Sequence, residues 1–259
     1  MDSVVDDRLK EELASFQKLW RGGYFEGDPL NPLSPSAYGT LNFISILHAT
    51  YLRCIKPYIN PDTVALEIGP GRGAWTRCML GAREIYALDA LSAAHNGFFE
   101  FLGHPRNVKY FQVTDFACVC LPDDHFNFMF SHGCLCHVSF DGIEQYARNI
   151  FPKMRSGSDC FWMVADYPKY NRTNLTLSIW DSLARIVPAA GRPLIAQLKQ
   201  MSAEFRPEPL EEDMQPSPGR WFNAGIARTC EMLESVGYQV VDRDVGTNIR
   251  DPIIYFRKV

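Results

Sequence analysis

The sequence predicts an α/β protein of three layers, in which helices cover both faces of a mostly parallel sheet. From residue 63 onward, short runs rich in β-branched and aromatic residues alternate with stretches of helical periodicity, which is typical of strand–helix–strand units. The length of 259 residues suits one large core with embellishments better than two independent domains. A content of 46% hydrophobic and 22% charged residues is that of an ordinary folded chain.

The elements of this pattern follow one another along the chain. The predicted parallel strands are TVALEIG, REIYALD, NVKYFQVTD, FNFMFSHG and DCFWMVAD. The predicted crossover helices are GAWTRCML, LSAAHNGFFEFL and DGIEQYARNIFPKM. Asp141 is the predicted N-cap of the last of these helices, with Glu144 three residues on. A helix, FNAGIARTCEMLESVG, and two strands, YQVVDRDV and DPIIYFRKV, close the chain.

Two segments lie outside the alternation. Residues 1–60 begin with an amphipathic helical pattern, break at RGG and resume as a second apolar helical stretch, so we expect an N-terminal helical appendage that acts as a lid. Residues 61–259 form the main domain. Within it the alternation stops after Asp166 for about fifty residues, which is too long for a plain connection and predicts a helical cap inserted at about 168–218.

Charge and composition disfavour several classes of partner. A formal net charge of −4 gives no general attraction to nucleic acid or to an anionic membrane. The first twenty residues do not resemble a secretory signal and no stretch is long and apolar enough to span a bilayer, so we expect a cytoplasmic protein. The cysteine pairs CVC and CLC have spacings that structural zinc rarely uses, and we expect no metal site. A homodimer is compatible with the sequence.

The stretch ALEIGPGRGAWT points to a ligand site. An apolar run ends at an acid and is followed by Gly69, Gly71 and Gly73 at alternate positions. In a parallel α/β sheet, ligands bind where a strand gives way to a loop and the next helix begins. Glycines there allow positive φ and a close approach of the ligand, and the helix offers unpaired N–H groups. The glycines alone are weak evidence, because any tight strand-to-helix connection can contain them.

Acidic residues at neighbouring strand ends strengthen this prediction. Glu67 lies two residues before the first glycine, inside the buried end of a strand, where a carboxylate is costly unless donors or positive charge face it. Asp89 ends the next strand and is placed to accept two hydroxyls of a ribose. Asp115 and Phe116 end the third strand, placed to accept an exocyclic amine and to stack on a flat base.

This set resembles the class I S-adenosylmethionine-dependent methyltransferases over roughly residues 61–259. The resemblance implies a Rossmann-like, seven-stranded, mostly parallel sheet with one antiparallel strand, and S-adenosyl-L-methionine as cofactor. It implies that Glu67 and the glycine backbone serve the methionine part, Asp89 the ribose, and Asp115 with Phe116 the adenine. We also expect Tyr24 and Tyr38 to close over the cofactor, since flexible RGG and EGD segments flank Tyr24. The predicted cofactor-binding set is Tyr24, Tyr38, Glu67, Gly69, Gly71, Gly73, Asp89, Ala90, Asp115, Phe116, Ser131 and His132.

The fourth strand departs from the pattern of many family members. Ser131 and His132 stand where those members carry Asp or Asn, and the Asn/Asp-Pro-Pro-aromatic signature of amino methylation is absent. The acceptor atom is therefore expected to be oxygen, or less readily nitrogen, of a small molecule such as a sugar or a hydroxylated natural product. His137 and Asp166 are the candidate catalytic residues, as bases near the methyl group. Simpler roles remain open, since Asp166 could cap a loop and His137 could be a satisfied neighbour of the site.

Three other functions stay open. An NAD(P)-binding oxidoreductase also has a glycine turn, but its fingerprint usually lies near the N-terminus and lacks an acid ahead of the glycines. A non-catalytic module could retain the cofactor site as a scaffold or sensor. A protein or nucleic-acid methyltransferase would be expected to show a basic groove or a peptide-binding domain, and the sequence shows neither.

Overall fold

A computed structural model describes residues 2–36, 39–41, 43–173 and 221–259. Tyr38 and all but the first six residues of the predicted insertion at 168–218 lie outside the described residues. Within the described part of the chain, no helix combines the length and apolar character needed to cross a bilayer.

Nine strands form two sheets in the described residues. The bounds are β1 Thr40–Leu41, β2 Ile44–Ser45, β3 Val64–Ile68, β4 Glu84–Asp89, β5 Val108–Gln112, β6 Phe126–Ser131, β7 Met154–Met163, β8 Tyr238–Asp242 and β9 Ile253–Lys258. The first two pair as a short antiparallel hairpin. The other seven form one sheet in the order β5-β4-β3-β6-β7-β9-β8. The pairs from β5 to β7 are parallel, and β9 runs antiparallel to both of its neighbours. The predicted seven-stranded, mostly parallel sheet is confirmed.

The central strand β3 is buried from both sides. Val64, Leu66 and Ile68 belong to one hydrophobic cluster, whereas Ala65 belongs to a second cluster that includes Ala87 of β4. Successive side chains of a strand point to opposite faces, so each cluster occupies one face of the sheet. Helices cover both faces, and the three layers are those that the continuous apolar strands predicted.

The helices are shorter and more interrupted than their sequence patterns suggested. The described helices are Asp2–Leu19, Ile46–Thr50, a π-helical turn Tyr51–Ile55, Ala74–Cys78, Ala93–Asn96, Phe98–Leu102, a 3₁₀ turn Leu135–His137, Phe140–Ile150, a 3₁₀ turn Phe151–Lys153, residues 167–173 and Ile226–Val236. The prediction that Asp141 is the N-cap of the helix after β6 was wrong. Ser139 is the N-cap of Phe140–Ile150, and its hydroxyl accepts a hydrogen bond from the N–H of Gly142 at 3.3 Å.

The first helix is packed into the body of the protein. Leu9 and Leu13 are 4% exposed and belong to the same hydrophobic cluster as β3. Glu12 is also buried, and its two carboxylate oxygens accept hydrogen bonds from the N–H and the hydroxyl of Ser139, each at 2.6 Å. Glu12 therefore joins the first helix to the N-terminus of Phe140–Ile150, which fixes the helix beside the carboxyl ends of the strands.

Candidate functional site

A cavity of about 650 Å³ opens at the carboxyl ends of β3, β4 and β6. Its floor is made by the residues that end these strands, and its roof by the first helix and the chain that follows it. Its lining residues are Leu13, Phe16, Leu19, Trp20, Arg21, Gly22, Tyr24, Glu26, Ile68, Gly69, Gly71, Leu88, Asp89, Ala90, Leu91, Asn96, Gly133, Cys134, His137, Val138, Tyr146, Trp221 and Arg250. The position is the one at which α/β proteins of this topology bind ligands.

The glycine turn shapes the cavity floor. Gly69 has a φ of 70°, and a Cβ atom there would lie 2.3 Å from the Cys134 side chain. Gly71 has a φ of 53°, and its N–H donates to Oδ2 of Asp89 at 3.2 Å. Both positions need glycine, because other residues rarely adopt this conformation and because a side chain at 69 would overlap the neighbouring loop. Gly73 is the N-cap of Ala74–Cys78 and is not part of the cavity lining.

Glu67 lies beneath the turn rather than in the cavity. It is 2% exposed, and the hydroxyl of Thr76 donates to its Oε2 at 2.6 Å. Burial raises the pKa of Glu67 to about 8, and the Thr76 hydrogen bond opposes that rise. Thr76, which sequence reasoning did not single out, belongs to the same GRGAWT stretch as the glycines. The hydrogen bond between Thr76 and Glu67 joins the end of β3 to the first turn of the helix Ala74–Cys78.

Asp89 lines the cavity and is held by the backbone. Its Oδ1 accepts a hydrogen bond from the N–H of Leu91 at 2.9 Å, and its Oδ2 accepts from Gly71. Burial raises the pKa of Asp89, and these backbone N–H groups counteract the rise. Each carboxylate oxygen has further lone pairs, so the group can accept two ligand hydroxyls. Ala90, the next residue, also lines the cavity.

Asp115 and Phe116 are not brought to the lining of this cavity. Asp115 accepts a hydrogen bond from the N–H of Ala117 at 2.9 Å. Phe116 is 3% exposed, and its ring packs edge-on against Tyr146 at 4.7 Å. Tyr146 itself lines the cavity, so Phe116 lies in the layer behind it. The adenine-binding role of Asp115 and Phe116 stays a prediction.

Ser131 and His132, at the end of β6, are buried behind the cavity surface. The Ser131 hydroxyl donates to the carbonyl of Ile68 at 3.0 Å, which joins the ends of β6 and β3. The His132 ring packs against Trp75 at 4.6 Å. Burial lowers the pKa of His132 to about 3, so the imidazole is neutral at physiological pH. Neither residue lines the cavity, and their roles toward a cofactor stay predictions.

Residues 20–28 form a strap over the glycine turn. The carbonyl of Tyr24 accepts a hydrogen bond from the N–H of Arg72 at 3.3 Å, and the N–H of Gly23 donates to Oδ1 of Asn96 at 3.1 Å. The Tyr24 ring lines the cavity and the residue is 52% exposed. The strap is thus tied to the loop after β3 and to the helix Ala93–Asn96 after β4, and its role as a lid stays a prediction. Tyr38 lies outside the described residues.

The two candidate catalytic residues have different surroundings. His137 lines the cavity, with its ring 4.8 Å from that of Trp20. Asp166 is 3% exposed and does not line the cavity. Its Oδ1 accepts from the N–H of Lys169 at 2.5 Å and its Oδ2 from the N–H of Ile226 at 2.7 Å. These contacts make Asp166 a cap for two helices, where the simpler alternative had a loop cap, and its catalytic role stays a prediction.

Two lining residues were missed as binding groups. Glu26 belongs to the strap, and Arg250 precedes β9. Arg250 pairs with the buried Asp251, whose Oδ1 also accepts from the indole N–H of Trp221, another lining residue, at 3.0 Å. Glu26 and Arg250 occur in segments without the hydrophobic periodicity of a helix or a strand, so no sequence pattern predicted that they line a site.

The cavity suits a nucleoside that carries an amino-acid tail. Asp89 supplies a carboxylate for a vicinal diol, and the apolar side chains of Leu91, Val138 and Tyr146 can flank a flat base. Gly69 and Gly71 line the cavity without a side chain, so a ligand chain can approach their backbone there. Among the described residues, no three His, Cys, Asp or Glu side chains are grouped so as to hold a metal ion.

No family model and no curated protein matches the chain. Solved structures do match. An S-adenosylmethionine-dependent methyltransferase from Aquifex aeolicus is 15% identical, with 78% of this chain and 85% of that chain covered and a TM-score of 0.50. A proposed S-adenosylmethionine-dependent methyltransferase from Listeria monocytogenes is 14% identical, with 83% and 98% covered and a TM-score of 0.50. The YcgJ protein from Bacillus subtilis is 14% identical, with 75% and 71% covered and a TM-score of 0.50. At these identities the likeness is one of fold.

Proposed function

The chain has the class I S-adenosylmethionine-dependent methyltransferase fold, and on that fold we propose that it binds S-adenosyl-L-methionine in the described cavity and methylates a small molecule. One observation carries the proposal. The glycine turn and Asp89 face one cavity at the carboxyl ends of adjacent strands, joined by the hydrogen bond from Gly71 to Asp89. This arrangement follows the sequence pattern that resembles the family.

Each part of the site has a role in holding the cofactor. Asp89 accepts the two ribose hydroxyls, and the methionine part passes over Gly69 and Gly71, which line the cavity. Glu67 and Thr76 hold the turn in shape from below. When bound, the cofactor supplies a methyl group on a positively charged sulfur, so the protein has to position the acceptor and exclude water.

The acceptor side of the cavity lies toward β6 and the C-terminal strands. Trp20, His137, Trp221 and Arg250 line it, and His137 is placed to take a proton from an acceptor hydroxyl. The amino-methylation signature is absent after β6, which favours oxygen over nitrogen as the acceptor atom. A hydroxylated ring compound, such as a sugar or an aromatic natural product, matches aromatic walls that carry a few polar groups.

Two alternatives are distinguishable, one by binding and the other by turnover. An NAD(P) enzyme would use the same turn, although Glu67 ahead of the glycines is unlike its usual fingerprint. A non-catalytic module would bind S-adenosylmethionine without turnover.

Calorimetric titration with S-adenosylhomocysteine and with NADH tests the NAD(P) alternative. We expect S-adenosylhomocysteine to bind and NADH not to bind. A screen of hydroxylated small molecules for production of S-adenosylhomocysteine tests turnover. Binding of NADH alone would overturn the proposal.

A further inference from the structure

Two carboxyl groups of the described residues line the cavity, those of Asp89 and Glu26. In the proposed function Asp89 binds the ribose. Glu67, the acid that the family resemblance implies for the methionine part, lies beneath the turn, where it accepts a hydrogen bond from Thr76, and it does not line the cavity. Glu26 is therefore a lining carboxyl group to which the proposed function gives no role.

The strap crosses the glycine turn from the β4 side of the sheet. The N–H of Gly23 donates to Oδ1 of Asn96, which ends the helix after β4. One residue later the strap lies over the turn itself, because the carbonyl of Tyr24 accepts a hydrogen bond from the N–H of Arg72. The chain that follows Tyr24 therefore continues away from β4.

Glu26 lies on the opposite side of the turn from Asp89. Its Oε2 is 3.8 Å from Nδ1 of His132, the residue that follows β6. Strand β3, which leads into the turn, lies between β6 and β4, and β4 ends at Asp89. A ligand that spans the cavity from Asp89 over Gly69 and Gly71 therefore has its far end on the side where Glu26 lies.

The described protein leaves the carboxyl group of Glu26 incompletely satisfied. Its side chain is 6% exposed, and its Oε1 has no hydrogen-bond partner among the described residues. The neighbouring imidazole of His132 is neutral at physiological pH. Burial raises the pKa of Glu26 to about 8, although the charge of Arg250 opposes the rise and that of Asp251 adds to it. A positively charged donor on a ligand would lower the cost of this buried carboxylate.

We propose that Glu26 binds the α-ammonium group of the cofactor's methionine part, which donates a hydrogen bond to Oε1 of Glu26. This inference rests on the proposed function. With the ribose at Asp89 and the tail over Gly69 and Gly71, the amino-acid end of the cofactor reaches the β6 side. An ammonium group and a carboxylate form a charge-assisted hydrogen bond, which is one of the strong ones. S-adenosylmethionine and S-adenosylhomocysteine both carry this ammonium group, so Glu26 binds cofactor and product and takes no part in methyl transfer.

A ligand that lacks only the α-amino group tests this contact. Deaminated S-adenosylhomocysteine keeps the nucleoside, the sulfur and the carboxylate. By calorimetry, the wild type should bind S-adenosylhomocysteine about tenfold or more tightly than the deaminated ligand, because the charge-assisted hydrogen bond is lost. Glu26→Gln should reduce this ratio to about threefold or less, mainly by weakening S-adenosylhomocysteine. A residue that only supports the fold would weaken both ligands alike and leave the ratio unchanged.

Glu11→Gln is the matched control, since Glu11 is an exposed residue of the first helix, and it should keep the wild-type ratio. A wild-type ratio near one, or an unchanged ratio in Glu26→Gln, would overturn the proposal. If Glu26→Gln does not fold, a crystal structure of the wild type with S-adenosylhomocysteine decides. An α-amino nitrogen within hydrogen-bond distance of Glu26 supports the proposal, and an α-amino nitrogen elsewhere overturns it. If the wild type binds neither ligand, the proposed function fails instead.

Discussion

Asp89 is the residue whose side chain connects the glycine turn to the cavity. It accepts hydrogen bonds from Gly71 and Leu91, and those contacts orient its carboxylate toward the space that a ribose would fill. We predict that Asp89→Asn weakens binding of S-adenosylhomocysteine by about 10- to 100-fold, because a charge-assisted acceptor is replaced by a neutral amide.

Calorimetric titration measures this loss of affinity. The matched control is Glu84→Gln, at the start of the same strand, where the side chain pairs with Lys109 on the surface. The control should bind like the wild type. Equal affinities for the Asp89→Asn variant and the wild type would contradict the ribose-binding role.

The site residues that the sequence predicted follow patterned strands, whereas those that it missed lie in segments without a pattern. Gly69, Gly71 and Asp89 follow directly from strands with clear apolar patterns, so their common location could be predicted. Glu26 lies in a proline-bearing segment without periodicity, and its burial depends on the tertiary position of the strap. Phe116 packs on Tyr146, which itself lines the cavity, and its contact with a bound base stays a prediction.

At the scale of elements, Asp166 joins two helices to the end of β7. It accepts N–H groups from Lys169 in residues 167–173 and from Ile226 at the start of Ile226–Val236. We predict that Asp166→Ala lowers the free energy of unfolding by about 1–3 kcal/mol, since two caps are lost, and leaves affinity for S-adenosylhomocysteine within about threefold.

Chemical denaturation and calorimetry on the same samples measure both quantities. Asp123→Ala is the control, because Asp123 is an exposed partner of Lys153, and it should change stability by no more than about 0.5 kcal/mol. If Asp166→Ala abolished turnover of an identified acceptor while its stability stayed at the wild-type value, Asp166 would be a catalytic residue and the capping account would fail.

The first helix is a second element whose position matters for the site. Glu12 fixes it to Ser139, and Leu13 next to it lines the cavity. We predict that Glu12→Ala loosens this wall, raises the rate of proteolysis within residues 2–19 and weakens S-adenosylhomocysteine binding about three- to tenfold. Limited proteolysis and calorimetry provide the measurements, with exposed Glu11→Ala as the control. Protection and affinity equal to those of the wild type would show that the helix does not need this contact.

Element types were easier to predict than element boundaries. The alternation of strands and helices gave the parallel sheet, and the first and last helices were found by their apolar spacing. The cap of Phe140–Ile150 was assigned to Asp141 because of a Glu three residues later, yet Ser139 takes the role, since its backbone is already extended with a ψ of 157°. The apolar stretch near residue 45 begins as a hairpin, because Ser45 pairs locally with Thr40 and helical periodicity does not report this pairing.

At the scale of the whole molecule, stability depends on buried carboxyl groups. Burial raises the pKa of Glu67 from 4.5 to about 8, so the folded state holds a proton that the unfolded chain loses. Stability from this group is fully present below pH 4.5 and is lost as pH rises toward about 8. Glu26 acts in the same direction.

We predict that Glu67→Gln flattens the decline in the free energy of unfolding of the ligand-free protein between pH 5 and 8, with a gain on the order of 2 kcal/mol at pH 8. Urea denaturation at intervals of one pH unit measures this dependence. The control is Glu84→Gln, whose carboxyl has its pKa lowered by the hydrogen bond from Lys109 and should not flatten the decline. A slope equal to that of the wild type in Glu67→Gln would show that Glu67 is already ionised in the folded protein.

The parallel part of the sheet could be predicted from apolar runs and crossovers, and the single antiparallel strand from the family resemblance, whereas the strand order comes from the structure. The composition of the cavity could not, since it combines the first helix, the strap and the loop before β9, which are far apart in sequence. Their convergence depends on tertiary contacts such as those of Glu12 and Asn96.

A crystal structure of the protein with S-adenosylhomocysteine tests the central claim most directly. The account predicts the ribose hydroxyls within hydrogen-bond distance of Asp89 and the amino-acid tail over Gly69 and Gly71. A nucleoside bound elsewhere, or bound in this cavity with its ribose away from Asp89, would contradict it.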